Sequence, residues 1–402
     1  MALMPVAEAL RLVLADAKPL PAEVVTLDQA TGRVLTLDVA ALRTQPPTAV
    51  SAMDGYAVRA SDVAKAPSTL KVIGEVAAGH PFVGQVVAGQ AARIFTGGVM
   101  PDGSDTVVIQ ELTSREGDVV TIQKATPKGR NVRGQGIDFS QGEVLLRKGR
   151  RLSDRDVMLA AAMNHPRLSV HRKPKVAVLG TGDELVPPGG APKPGEIIYS
   201  NGFALASMAS AEGAEIHDLG IANDRVEDIT QAIKRARDWG ADILVTSGGA
   251  SVGEHDLVQR ALAAEGLDLS FWRVALRPGR PMMHGRLGAM QVLGVPGNPV
   301  SSYVCAFLFL VPLIRCLSGR EDVQPSPERA SLGCDLPAND ERTDYLRATL
   351  APGPDGPVAT PLPVQDSSLM APLAKADCLV IREPRAAAAA AGSDCVILKL
   401  GL

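Results

Sequence analysis

Between Lys175 and about Gly319 the chain alternates short apolar runs with amphipathic segments, and this alternation constrains the fold more than any other feature. The runs "KVAVLG", "EIHDLGI" and "DILVTSGG" read as strands. Between and after them, "NGFALASMASAEG", "RVEDITQAIKRARDWG" and "DLVQRALAAEG" read as helices. Near-continuous apolar strands need cover on both faces, so the pattern predicts a helix-sandwiched, largely parallel sheet. In such a sheet ligands bind outside the carboxyl ends of the strands, which makes the strand-end loops the first place to look for chemistry.

Four of these loops carry it. "GTGDEL" supplies Asp183 and Glu184, and "IANDR" supplies Asp224. "SGGASVGEHD" supplies Gly248, Gly249, Ser251, Glu254 and Asp256. "VPGNPVSS" supplies Pro296, Asn298, Pro299 and Ser301, and it opens the apolar stretch "PVSSYVCAFLFLVPLI". Glycine amides after a strand suit an anion, whereas acids in the same turn repel one. A magnesium ion between phosphate and carboxylates would remove that conflict. Glu254 also reads as a cap for the following helix. Each loop alone is equally compatible with a plain turn, and Asp224 with a helix N-cap. A further segment, "VALRPGRPMMHG", brackets a Pro-Gly turn with Arg277 and Arg280, followed by Pro281. Two guanidiniums there could converge on a tetrahedral oxyanion or simply flank a surface turn.

The rest of the chain has a different texture. "PVAEALRLVLADA" is an amphipathic helix, and "LSDRDVMLAAAMN" a second one capped by Ser153. Between them "LKVIGEVAAG", "AARIFTGG", "DTVVIQE" and "DVVTIQKA" read as strands of a β-rich insert, so the two helices are expected to share one interrupted domain. The insert holds "SAMDGYAVR" with Asp54, "FTGGVMPDGSD" with Thr96, and "GRNVRGQGIDF" with Asp138. After Gly319 clustered prolines separate short strands, as in a small β domain. The 402 residues thus divide into 1–45 plus 141–173, 46–140, 174–320 and 321–402.

Composition excludes several classes. Aromatics are only 3%, which argues against base-stacking platforms and hence against nucleic acid. Pro299–Ile314 reads as a buried helix, too short and proline-broken to span a membrane. Five cysteines without CxxC spacing suit a reducing cytoplasm better than a disulfide framework or zinc site, and no signal peptide is visible. The six histidines form no catalytic pattern. Lys124–Lys175 holds thirteen Lys/Arg against four Asp/Glu: a solvated face, or a collar that attracts an anionic substrate.

Taken together, "SAMDGYAVR", "IFTGGVMPDGSDTVV", "GRNVRGQGIDFSQGEVLL", "VAVLGTGDEL", "IIYSNG", "TSGGASVGEHD", "ALRPGRPM" and "VPGNPVSS" resemble the molybdopterin molybdenumtransferase family, the MoeA and gephyrin E-domain proteins. The resemblance implies a multidomain α/β protein. Its parts would be an N-terminal helical domain, the β-rich insert, a central molybdopterin-binding α/β/α domain and a C-terminal β-barrel-like domain. It also implies a homodimer whose cleft lies between the α/β domain and the partner's β-rich insert. The reaction it implies cleaves adenylated molybdopterin with Mg²⁺ and inserts molybdate, releasing AMP and molybdenum cofactor. A molybdopterin adenylyltransferase and cofactor-accepting proteins are the implied partners.

Carried onto this chain, the resemblance makes Asp54, Asp138, Glu184, Asp224 and Asp256 the acidic site, with Asp224 and Asp256 toward the metal. Thr96, Gly248, Gly249 and Ser251 would bind substrate. Arg277, Arg280, Pro281, Pro296, Asn298, Pro299 and Ser301 would line the oxyanion and nucleotide region. Arg342 and Ser367 match positions that reach molybdate. Arg280 stands where the family has lysine, Ile137 where it has glutamate, and Pro372 where it has serine. Two other readings stay open: an adenylyltransferase acting one step earlier, and a non-catalytic scaffold.

Overall fold

A computed structural model of the chain describes residues 3–248 and 257–401. Its centre is the α/β domain: β1 (Lys175–Thr181), α1 (Asn201–Ala211), β2 (Glu215–Ala222), α2 (Val226–Trp239), β3 (Ile243–Ser247) and α3 (Leu257–Ala264). β4 (Asp268–Trp272), β5 (Met283–Leu287), β6 (Met290–Val295) and the helix α4 (Pro299–Leu317) complete it. The sheet order is β2-β1-β3-β6-β5-β4, with the first four strands parallel and β5 antiparallel to both its neighbours, β6 and β4.

The period-two alternation of β1 explains the layers. Val176 and Val178 face a core formed with α1 and α4, whereas Ala177 and Leu179 face a second core with α2 and α3. Both faces are dry, as the continuous apolar strands require. α2 stops where Gly240 takes the left-handed conformation at φ 77°, which closes the helix end before β3.

α4 departs from the expectation of a short, broken helix. It runs for 19 residues through Pro312. Pro312 lacks an N–H and would crowd the carbonyl four residues back, and the π-helical segment Ala306–Leu310 absorbs that misfit. The helix is long and apolar enough to cross a membrane by composition alone, but most of it is buried in the domain core.

The opening helix, Val6–Ala15, also departs from expectation. Ala9 and Val13 join the core that contains α1 and α4, and Leu20 N–H donates to Leu317 O. The helix Asp154–Ala162 sits in a different core, with Val25, Leu35, Phe139 and Leu168. Its Ser153 forms the expected cap, in a full capping box with Asp156. The opening helix pairs with α4 because that apolar surface is the larger one; burying Val13 there contributes about 1.5–3 kcal/mol.

The β-rich insert is a six-stranded sheet in the order Thr106–Ile109, Gly55–Val58, Gln90–Ile94, Ser68–Val76, Val119–Ile122, Thr113–Glu116. It is tied to the chain through paired segments, Val39–Ala40 with Val144–Leu146 and the bridge Gln45–Phe139. The C-terminal strands Thr343–Gly353, Gly356–Pro361, Glu328–Leu332, Asp394–Lys399 and Cys378–Arg382 close on themselves as a five-stranded barrel. Leu276–Arg277 pairs with Thr343–Asp344 and so docks the barrel on the α/β domain.

Candidate active site

The carboxyl ends of β3 and β6 are held together by one side chain. Asn201 Nδ2, at the start of α1, donates to Ser247 Oγ at 2.8 Å and to Gly297 O at 2.7 Å. It therefore joins the end of β3 to the loop before α4. Gly248 follows with φ 97°, and a Cβ there would lie 2.4 Å from Thr181 O. Only glycine fits both restraints. Thr181 Oγ1 and Thr246 Oγ1, both buried, have no hydrogen-bond partner among the described residues, nor has Ser302 Oγ in the first turn of α4. Buried hydroxyls without partners are uncommon away from ligand sites. Gly249, Ser251, Glu254 and Asp256 lie outside the described residues.

Three carboxylates gather beside this edge. Asp224 N–H donates to Asp183 Oδ1 at 2.9 Å, so Asp224 does not cap α2; Arg225 occupies the cap position. The Asp224 carboxyl is pushed above its ordinary range, first by partial burial and then by the charges of Asp183 and Glu184. Glu184 folds back over Gly182, where a Cβ would lie 2.6 Å from Glu184 Oε2. Among the described residues no three His, Cys, Asp or Glu side chains form a metal-holding group. Asp183 is not in the acidic set that the resemblance implies, and the like-charge crowding appears only when β1 and β2 are adjacent.

In the β-rich insert Asp54 has the opposite environment. Thr96 donates to Asp54 Oδ1 twice, from its N–H at 2.7 Å and from its hydroxyl at 2.8 Å. These two bonds, with Arg93 nearby, hold the Asp54 carboxyl below the usual carboxylate range. Thr96 therefore supports Asp54 rather than offering an open anion nest. Gly55 is obligatory, since a Cβ there would meet Val108 O at 1.9 Å. Asp138 is exposed, with its N–H on Gln45 O at 3.1 Å where the insert meets the rest of the chain.

The barrel supplies the remaining candidates. Arg277 bonds Asp344, and also Asp340 Oδ2 and Asn339 Oδ1, each at 3.1 Å. Arg342 Nη2 reaches the same Asp340 Oδ2 at 2.9 Å. Arg342 and Arg277 hold the Asp340 carboxyl down at about 2, with the Arg342 bond the larger cause. Two cations and two anions thus cancel, and neither Arg277 nor Arg342 is free for an oxyanion as first expected. Arg280, exposed and followed by the half-buried Pro281, makes no side-chain hydrogen bond or ion pair among the described residues. Pro296 is buried, Pro299 opens α4, and Ser301 is buried one turn in. Asn298 Nδ2 donates to Ser367 Oγ at 2.8 Å, and Val300 N–H to Ser367 O at 3.0 Å, so the barrel touches the N-terminus of α4.

The basic stretch is partly paired internally, and Lys128 lies 3.8 Å from Asp105. Arg147 pairs with Asp38, Arg150 with Asp156 and Arg172 with Asp242, which favours the solvated face over the collar.

Carboxylates, Gly248 and a helix N-terminus at the carboxyl edge of a doubly covered sheet, joined to a β-rich insert and a closed barrel, define a multidomain α/β protein. Family comparisons agree. Residues 4–164 match the MoeA N-terminal region (domains I and II), 177–316 the probable molybdopterin binding domain, and 329–400 the MoeA C-terminal region (domain IV). A molybdopterin molybdenumtransferase of Nostoc sp. is 40% identical over 304 residues, covering 74% of this chain and 70% of that protein. One of Haemophilus influenzae is 32% identical over 382 residues, 94% of each chain. The crystal structure of the molybdopterin biosynthesis MoeA protein from Pyrococcus horikosii superposes with a TM-score of 0.83 at 31% identity, covering all of both chains. The chain belongs to the molybdopterin molybdenumtransferase family.

Proposed function

We propose that this protein inserts molybdate into adenylated molybdopterin in molybdenum cofactor biosynthesis, cleaving the adenylate and releasing AMP. The observation that carries the reading is the joining of two glycine-bearing strand ends by Asn201, on the sheet edge where Asp183, Glu184 and Asp224 crowd one another. On this reading the amides around Gly248, Gly249 and Ser251 face the pterin phosphate. Asp224 and Asp256 hold Mg²⁺, with Glu184 beside them. Mg²⁺ fits such a site because it takes one or two carboxylates, keeps several waters and shares the substrate's phosphates. When bound, it neutralises the phosphoanhydride and makes it easier to cleave.

Asp54 and Asp138 reach this edge from the insert of a second copy, giving a homodimer with shared clefts. A carboxylate held below the ordinary range is a weak proton acceptor, so Asp54 orients and repels rather than abstracts. Arg280 receives molybdate, with Pro281, Pro296, Asn298, Pro299, Ser301 and Ser367 shaping the pocket; Arg277 and Arg342 hold its walls. The units 46–140, 174–320 and 321–402, with 1–45 plus 141–173 joining them and its opening helix packed on the α/β domain, then divide the work, in the cytoplasm. A molybdopterin adenylyltransferase supplies the substrate and cofactor-accepting proteins take the product.

The test is a turnover assay with adenylated molybdopterin, molybdate and Mg²⁺. Stoichiometric AMP and cofactor are expected. Accumulation of adenylate from ATP and metal-free molybdopterin would instead mark an adenylyltransferase, and binding without turnover a scaffold. Light scattering that shows only monomer at working concentration would remove the shared cleft.

A further inference from the structure

Arg347 lies on the barrel strand Thr343–Gly353 and is fully buried, although no carboxylate contacts it closely enough for an ion pair among the described residues. Its neighbours Leu346, Ala348 and Leu350 face the barrel core. By alternation Arg347 faces the other way, under the segment 362–369. That segment is wrapped around it. Arg347 N–H and Nε–H both donate to Gln365 Oε1, at 3.1 and 3.2 Å. Nη1 donates to Leu369 O at 3.4 Å and Nη2 to Val364 O at 3.5 Å. The Arg347 carbonyl accepts from Gln365 Nε2 at 2.9 Å and from Leu362 N–H at 2.8 Å.

A buried cation whose nearest counter-charge, Asp366, lies beyond ion-pair distance is unfavourable, and an apolar side chain would fill this space without that penalty. What the apolar chain lacks is a fork of donors. Three acceptors converge here from both ends of one loop, and a planar guanidinium serves them at once where an ammonium would not. The part of the loop between these pins carries Ser367, whose hydroxyl and carbonyl meet Asn298 and Val300 at the N-terminus of α4.

We infer that Arg347 is a positioning residue that fixes Ser367 against the N-terminus of α4 and thereby sets how tightly the oxyanion substrate is held. This rests on the proposed function, in which Ser367 and that helix end border the molybdate pocket. Arg347 touches no substrate. Its effect passes through Gln365 and the backbone at Val364 and Leu369.

The experiment compares Arg347→Lys, Gln365→Ala and Ser367→Ala, each with the KM for molybdate, kcat for AMP release and Tm. Arg347→Lys and Gln365→Ala are expected to raise the molybdate KM about ten-fold, as Ser367→Ala does, with kcat within about two-fold. The Arg347→Lys/Ser367→Ala double variant should be no worse than either single one, since both act on one contact. If Ser367→Ala raises KM while Arg347→Lys and Gln365→Ala only lower Tm, the inference is overturned and the oxyanion reading stands. If Ser367→Ala itself leaves KM unchanged, both fall. Should Arg347→Lys fail to fold, Gln365→Ala decides, because it breaks the same pin without removing a buried charge.

Discussion

The β-rich insert and the α/β domain both present carboxylates on loops beside strand ends, yet they treat them in opposite ways. Asp54 is met by two donors from one residue and is stabilised as an anion. Asp224 is met by two more acids and is destabilised as one. The first is complete as folded. The second is a charge conflict that a divalent cation would resolve. The difference teaches that a carboxylate's charge state is set by what already occupies its lone pairs, and that of the two regions only the α/β edge leaves like charges uncompensated among the described residues.

Changes to the insert should have the larger effects. Asp54→Asn keeps the shape and removes the charge, and it is expected to reduce AMP release roughly 100-fold in single-turnover assays. Thr96→Val removes the hydroxyl donor, leaves the backbone N–H in place, and lets the Asp54 carboxyl rise part of the way toward the ordinary aspartate value. Turnover should fall about ten-fold, and the acid limb of the kcat/KM profile should move to higher pH. An acid limb that stays in place would show that Asp54 does not govern it.

On the α/β edge the effects are smaller and of a different kind. Asp183→Asn removes one of the two like charges and should lower the Asp224 pKa. If the crowding serves a cation, half-saturation by Mg²⁺ should move several-fold to higher concentration, as a titration of turnover would record. On stability, as distinct from the loss of turnover expected of a metal ligand, Asp224→Asn gives the smallest effect and the clearest contrast. Its folded-state pKa is raised, so ionisation disfavours the fold above that pKa. The variant should melt higher at neutral pH, by at most about 2 °C, given the exposure of the site. The gain should vanish as pH falls through the raised pKa, where the wild-type carboxyl is already protonated. An Asp54→Asn variant should show no such gain.

Much of this was legible along the chain because it is local. The strands of the insert, the Ser153 cap and the strand-end positions of Asp183, Glu184, Asp224 and Gly248 follow from periodicity and turn chemistry within about ten residues. Four features were not legible in that way. Thr96 and Asp54 meet across 42 positions, Arg277 and Asp344 across 67, and Asn298 and Ser367 across 69. The opening helix found α4 nearly three hundred residues away.

The amino-acid sequence by itself therefore determined the layers of the α/β domain, the β-rich character of the insert, and which residue types stand at the strand ends. Alternation and helical spacing impose these before any long-range contact forms. Only the tertiary structure decided which charges remain available. Asp340 and Asp344 neutralise Arg277 and Arg342, Thr96 is taken by Asp54, and Arg280 is left without a partner among the described residues. A hydrogen bond or ion pair forms only when distant segments are brought within about 3 Å, and packing of the cores, not the local chain, fixes that approach.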